Sequence, residues 1–135
     1  MKSAPTAKKN LLRMLARRDQ SEKELGQKLS KDFSEKEISE ALDWAREQNW
    51  LKAPAELSQK IAQHLNEKLK GIQWINQTLE EKGLPLVSAN AEHEIEKARK
   101  LLKRKQDVSA EKQKAYLARH GFEIETMGKV IDEKH

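Results

Sequence analysis

Catalysis or metal binding would require clustered histidines, a paired acid and base, or a glycine-rich phosphate loop. The four histidines are His64, His93, His120 and His135. None of them forms HExxH or another metal-ligand spacing, and neighbours such as Glu92 and Glu94 flanking His93 point in different directions on a helix. The chain has no cysteine and no GxxxxGK[ST], GxGxxG or GxSxG sequence. We therefore predict no catalytic residue, no metal and no cofactor, and a protein that is not an enzyme.

The side chains that could bind a partner are basic, and they are concentrated in two blocks. Residues 1–18 carry six Lys/Arg and no acid, and residues 97–105 carry another six and no acid. Residues 19–96 have a net charge of −6, and residues 106–135 a net charge of −1. Clusters of basic residues on an otherwise acidic chain favour a polyanion or an acidic protein groove as the partner. Helix faces that are only solvated would give the same pattern.

One tryptophan adds a possible contact residue to these cations. Trp74 lies beside, and not on, the apolar stripe of Ile72, Ile75 and Leu79, so it is either an exposed contact residue or a packing residue between modules. The predicted partner- or nucleic-acid-binding residues are Arg13, Arg17, Lys68, Lys70, Trp74, Lys97, Lys100, Lys103 and Arg104.

The elements that carry these residues are helices, and they repeat. Ser21–Asp43 is typical of two amphipathic helices joined by a tight turn, and Ser109–Asp132 aligns with it with one extra residue, Gly121. In a fainter middle copy, Ile75, Leu79 and Leu84 take the positions of Leu25, Leu29 and Phe33. Gly83 takes the position of Gly121, and the pattern predicts that both end a helix. Repetition of one helical unit therefore organises the chain.

Cap residues and apolar spacing locate the helices. Ser21 with Glu24, and Ser34 with Glu37, form capping boxes, and Ser109 is a further cap. Apolar residues at helical spacing predict helices over 8–18, 56–70, 72–82, 87–102 and 123–133, the last buried through Ile124, Met127, Val130 and Ile131. No segment alternates with the period of a strand.

The expected fold is all-α, with three tandem three-helix repeats in an elongated, curved arrangement. We predict a mobile tail at 1–7 and repeats at 8–51, 52–94 and 95–135. No apolar run approaches the roughly 20 residues of a membrane span, and the N-terminus has no apolar signal core. A soluble cytoplasmic monomer is the expectation.

The helix–turn–helix pattern also suggests a DNA reader, but its composition disfavours base recognition. A recognition helix offers Arg, Lys, Asn or Gln to base edges, whereas residues 34–47 offer mostly Glu and Ser. Phosphate contact by the basic blocks is the more plausible form of DNA binding.

Three segments together resemble the RecX family of regulatory proteins. LLRMLARRDQSEKELGQKLSKDFSEKEISEALD resembles the family's first repeat, Lys70-Gly71 with LEEKG resembles its second, and KQKAYLARHGF resembles its third. The similarity spans about residues 9–133. The linker 49–56 departs from the family pattern because it lacks the usual pair of acids.

This resemblance implies a regulator of the RecA recombinase that acts in DNA repair, recombination and the SOS response. It implies binding in the groove of the RecA–single-stranded DNA filament, and inhibition of filament growth, ATP hydrolysis, strand exchange and co-protease activity. The alternative is a basic helical protein that binds DNA directly through phosphate contacts, and a helical adaptor for another partner is a third possibility.

Overall fold

The computed structural model describes residues 6–132, and this part of the chain is built from helices. The α-helices are α1 (Ala7–Arg17), α2 (Glu22–Leu29), α3 (Glu35–Glu47), α4 (Pro54–Glu67), α5 (Ile72–Glu81), α6 (Ala91–Leu102), α7 (Ala110–Arg119) and α8 (Ile124–Asp132), with a 3₁₀ turn at Lys103–Lys105. None of the described residues forms a strand, so the all-α class is confirmed. Between residues 6 and 132, no helix is both long and apolar enough to cross a bilayer. Most of the predicted tail, and His135, lie outside the described residues.

Two compact units divide the chain, and the first contains α1, α2 and α3. It comprises the described residues up to Leu57 together with Lys82–Leu84. Its core is small and aliphatic, as expected for so polar a sequence. The buried members are Ala7, Leu11, Leu25, Leu29, Ile38, Ala41 and Ala45.

Both predicted capping boxes are present in the first unit. The backbone N–H of Glu24 donates to Ser21 Oγ (3.1 Å), and the Ser21 N–H donates back to the Glu24 carboxylate (3.2 Å). Ser34 and Glu37 make the same exchange at 3.2 and 3.1 Å. Each box satisfies backbone donors that have no partner within the helix, which fixes where α2 and α3 begin.

Glu24 also makes an acid-sensitive interaction within the first unit. Burial would raise the pKa of its carboxyl, but the Ser21 N–H, Lys82 (3.0 Å) and Arg18 (3.2 Å) lower the pKa from 4.5 to about 2. A lowered folded-state pKa stabilises the fold above the unfolded pKa, and this stability is lost as the pH falls from about 4.5 towards 2.

We expect acid titration of the folding free energy to reveal this carboxylate. Between pH 4.5 and 2, the free energy of unfolding of the wild type should fall by about 1–2 kcal/mol more than that of Glu24→Gln. This value allows for screening of the partly exposed cations by solvent. Urea unfolding at a series of pH values measures the difference. Glu40→Gln, at an exposed position of α3, is the control, and equal acid sensitivity of wild type and Glu24→Gln would contradict the assignment.

The second unit comprises residues 58–81 and the described residues from Pro85 onward. Its buried core is formed by Ala98, Leu101, Leu102, Leu117, Phe122, Met127, Val130 and Ile131. Burial agrees with the predicted repeat correspondence, since Leu29 and Leu117 are both buried, as are Ile38 and Met127. Gly83 (φ 68°) and Gly121 (φ 87°) both have the left-handed backbone predicted for helix C-caps.

The end of the second repeat differs from the expectation. Residues 87–90 are not helical, and α6 begins at Ala91 with Asn90 as its cap. The side-chain amide of Asn76 both donates to the Val87 carbonyl and accepts from the Val87 N–H, each at 2.9 Å, as a neighbouring strand would. This pairing engages both backbone groups of Val87 outside a helix. The helix is therefore shorter than predicted, and the predicted boundary at 94/95 falls inside α6.

Burial of Ile124 was also predicted, and this prediction was wrong. Its side chain is 81% exposed, whereas Met127, Val130 and Ile131 of the same helix are buried. Ile124 is the first residue of α8, and it is not part of the core cluster. Helical spacing predicts the buried stripe of α8 but not where along the helix that stripe stops being buried.

Candidate partner-binding surfaces

In the first unit, the predicted binding residues lie on the solvent-facing side of α1. Arg13 and Arg17 are exposed and, with Asn10 and Met14, line a shallow open depression. They are one helical turn apart, so their guanidinium groups lie on the same face of the helix. This spacing suits contact with successive anionic groups, because each guanidinium offers several donors to phosphate or carboxylate oxygens.

In the second unit, one predicted binding residue belongs to the core. The side chain of Lys97 is 5% exposed, and its ammonium lies 2.6 Å from Asn66 Oδ1 and 2.7 Å from the Lys70 carbonyl. It also lies 2.9 Å from Glu94 Oε2 in a buried ion pair. The hydrogen bonds to Asn66 and Lys70 use two of the three donors of the ammonium, and the Glu94 carboxylate balances its charge. Lys97 therefore stabilises the second unit, and its charge is not exposed to a partner.

Glu94 completes this buried polar cluster. Its Oε1 accepts the N–H of Ile72 (2.6 Å), a donor of the first turn of α5 that has no partner within that helix. Its Oε2 faces Lys97 in an ion pair that lacks hydrogen-bond geometry. The cluster thus ties the end of α4, the start of α5 and the middle of α6 together within the second unit.

The spacing of residues along α6 predicts this buried cluster from the sequence. The buried residues of α6 are Glu94, Lys97, Ala98, Leu101 and Leu102. Their spacing of i, i+3, i+4, i+7 and i+8 is that of a buried helix face. Two charged residues on that stripe indicate an internal ion pair, because buried charges require partners.

The remaining cations of the second basic block are exposed. Lys103 and Arg104 lie in the 3₁₀ turn that follows α6, and Lys100 lies one turn earlier. Lys100 pairs weakly with Glu96 at 3.7 Å, and both side chains are more than half exposed. Such a pair contributes little to stability, so these cations remain available to an anionic surface.

Trp74, Lys68 and Lys70 lie at the start of α5 and the end of α4. Trp74 is 40% exposed, and the Lys70 ammonium lies 3.9 Å from the centre of its ring. This distance is within the range of a cation–π contact. Lys68 is exposed two residues before Lys70 in the chain. The structure therefore presents the tryptophan ring at the surface.

The second unit also contains a groove that sequence reasoning did not predict. It lies between α4 and α6, has a volume of about 540 Å³ and is open to solvent. Most of its lining residues are polar, and they include Gln59, Gln63, His93, Glu96 and Lys100. In the described part of the chain, no group of acids, histidines and cysteines could hold a metal ion.

Comparison with known proteins relates the chain to one family. Residues 7–44 match the model of the RecX first three-helix domain. The crystal structure of RecX from Lactobacillus salivarius superposes with a TM-score of 0.76 at 22% identity, covering 94% of this chain and 93% of that chain. A second crystal structure, of a regulatory protein RecX, gives 0.74 at 22% identity and covers 93% and 71%. No curated protein matches the sequence. At this identity the structural likeness shows the fold.

Proposed function

We propose that the chain regulates the RecA recombinase, because residues 7–44 match the model of the RecX first three-helix domain and the chain has the fold of the RecX crystal structures. The match of residues 7–44 to the RecX domain carries the proposal. It agrees with the sequence resemblance over all three repeats, and a regulatory role requires no catalytic site in this chain.

The proposed mode of action is inhibition by binding to the RecA–single-stranded DNA filament. Exposed cations occur in both units, at Arg13 and Arg17 in the first and at Lys100, Lys103 and Arg104 in the second. A filament presents phosphates and acidic protein side chains along its groove, which these cations complement. Several weak contacts on one chain add through effective concentration, so tight binding does not require any single strong site.

RecA ATP hydrolysis on single-stranded DNA is the direct test. Adding the protein at or below the molar amount of RecA should lower the steady-state hydrolysis rate several-fold, because the occupied groove limits filament growth. A coupled ATPase assay with preformed filaments measures the rate. An unchanged hydrolysis rate at equimolar protein would contradict the proposal. A faster rate would show that the protein acts on RecA but does not inhibit it.

Charge reversal identifies the contact residues. Lys103→Glu/Arg104→Glu should raise the protein concentration needed for half-maximal inhibition by about tenfold or more, since exposed interface charges act through the local field. Lys31→Glu/Lys36→Glu makes the same change in net charge at exposed positions of the first unit and is the matched control. Circular dichroism establishes that both variants stay helical. Equal weakening by the two variants would assign the effect to net charge and not to the 3₁₀ turn.

Direct binding to DNA is the competing function. It predicts that the protein binds naked DNA tightly without RecA, with an affinity that falls steeply as the salt concentration rises. The exposed cations of the two basic blocks support it. Titration of labelled DNA at several salt concentrations, with RecA absent, separates it from regulation of the filament.

A further inference from the structure

The groove between α4 and α6 has a floor of buried side chains. Ala62 is 5% exposed, and Leu69 is partly buried against the core of the second unit. The third member of the floor is Lys97, whose ammonium is held by Asn66 and by the Lys70 carbonyl. The volume of about 540 Å³ falls within the range of ligand-binding clefts, about 300–1,000 Å³. The groove is therefore large enough to hold a short segment of another chain.

The α4 wall of the groove presents two amides at a regular spacing. Gln59 and Gln63 both line the groove, and both are exposed. They lie about 6 Å apart along the helix, because an α-helix rises about 1.5 Å per residue. Each amide has one group that donates hydrogen bonds and one that accepts them. The wall thus offers the same pair of hydrogen-bonding groups twice.

This spacing agrees with the backbone of an extended peptide. In an extended chain, every second residue directs its N–H and its C=O to the same side. Two residues of such a chain span about 6.6 Å, which is close to the distance between the two amides. Gln59 and Gln63 can therefore each pair with one residue of an extended chain and leave the residue between them unpaired. A helical ligand offers no such groups along its length, because its backbone groups are bonded within the helix.

The second unit contains one pairing of this kind within its own chain. The side-chain amide of Asn76 donates to the Val87 carbonyl and accepts from the Val87 N–H, each at 2.9 Å. A single amide on a helix of this unit thus engages both backbone groups of a residue outside a helix. Gln59 and Gln63 offer the same chemistry, in two copies, to a chain from outside.

The charges of the groove do not select for a polyanion. The α6 wall carries Glu96 and Lys100, which form a weak pair at 3.7 Å. Glu67 adds a second exposed acid at the end of α4. Two exposed acids beside one exposed lysine oppose a phosphate backbone. The amide groups of a peptide backbone carry no net charge, so the groove does not repel them.

We propose that the groove between α4 and α6 binds an extended peptide segment of a partner protein. Gln59 and Gln63 hydrogen-bond to the backbone of two alternate residues of that segment, and a side chain of the segment packs on Ala62 and Leu69. Backbone hydrogen bonds supply most of the affinity, so the segment is recognised by its extended conformation more than by its sequence. This binding requires neither RecA nor DNA, so it can fail while the proposed function stands, and the reverse.

Selection from a displayed library of random peptides of about 12 residues tests the groove in the absence of RecA and DNA. The wild-type chain is the target, and Gln59→Ala/Gln63→Ala is the counter-target. Alanine is a strong helix former, so this variant keeps α4, which circular dichroism checks. Selected peptides should bind the wild type about tenfold or more tightly than the variant, because each lost amide removes hydrogen bonds. Recovery of no such peptide would overturn the proposal.

Backbone methylation of a selected peptide tests its conformation. Fluorescence anisotropy measures the affinity of versions that each carry one N-methyl group. Binding should weaken about tenfold at two alternate residues and change little at the residue between them. Equal losses at consecutive residues would overturn the extended arrangement. Gln73→Ala is the matched control, because Gln73 is an exposed amide of the same unit outside the groove lining. Its affinity should equal that of the wild type, and an equal loss would show that the groove is not the site.

Discussion

Replacing Lys97 with methionine is expected to destabilise the second unit by about 3–5 kcal/mol, because it leaves the Glu94 carboxylate buried without its counter-ion. The two side chains are 5% and 4% exposed, so the remaining carboxylate stays largely desolvated. The substitution also removes the donor for Asn66 Oδ1 and for the Lys70 carbonyl. Urea unfolding followed by circular dichroism measures the loss.

Two further variants separate burial of charge from loss of packing. Lys100→Met removes an exposed cation from the same helix and should change the free energy of unfolding by less than about 0.5 kcal/mol. Glu94→Gln/Lys97→Met removes both buried charges and should recover part of the stability lost by Lys97→Met. If Lys97→Met were as stable as Lys100→Met, the buried cluster would not be a structural element.

Gly121→Ala is expected to cost about 2–4 kcal/mol, because two separate effects add at this residue. Its φ of 87° is disfavoured for any residue with a Cβ, and the new methyl group would lie 2.5 Å from the Trp74 backbone nitrogen. Helix backbone cannot move aside as a flexible side chain can. The variant should therefore separate the start of α5 from the turn after α7.

Gly128→Ala is the control for this prediction. Gly128 lies within α8, and an added Cβ would meet no atom within 4 Å. Alanine is a better helix former than glycine, so this variant should be more stable by about 0.5–1 kcal/mol. Thermal or urea unfolding of both variants provides the comparison. A loss of less than about 0.5 kcal/mol in Gly121→Ala would mean that the close approach of the two segments is not needed.

The sequence alone determined the local features of this protein. Ser21 with Glu24, and Ser34 with Glu37, set the starts of α2 and α3, because a capping box is made by residues three positions apart. The all-α class followed from apolar spacing in the same way. The repeat correspondence also placed Gly83 and Gly121 at equivalent helix ends, and both have positive φ. Each of these features depends on groups within one or two helical turns.

Only the tertiary structure decided which surface residues are available to a partner. Lys97 belongs to a basic run that predicts exposure, but Asn66 and Lys70, about 30 positions earlier in the chain, enclose its ammonium. Asn76 likewise holds Val87 out of a helix that local spacing favours. The start of α5 meets the turn after α7 through the hydrogen bonds of Gly71 with His120 and of Gln73 with Gly121. Whether a side chain is buried, and which side chains lie next to it, depends on segments far apart in the sequence. The spacing of residues within one helix does not contain this information.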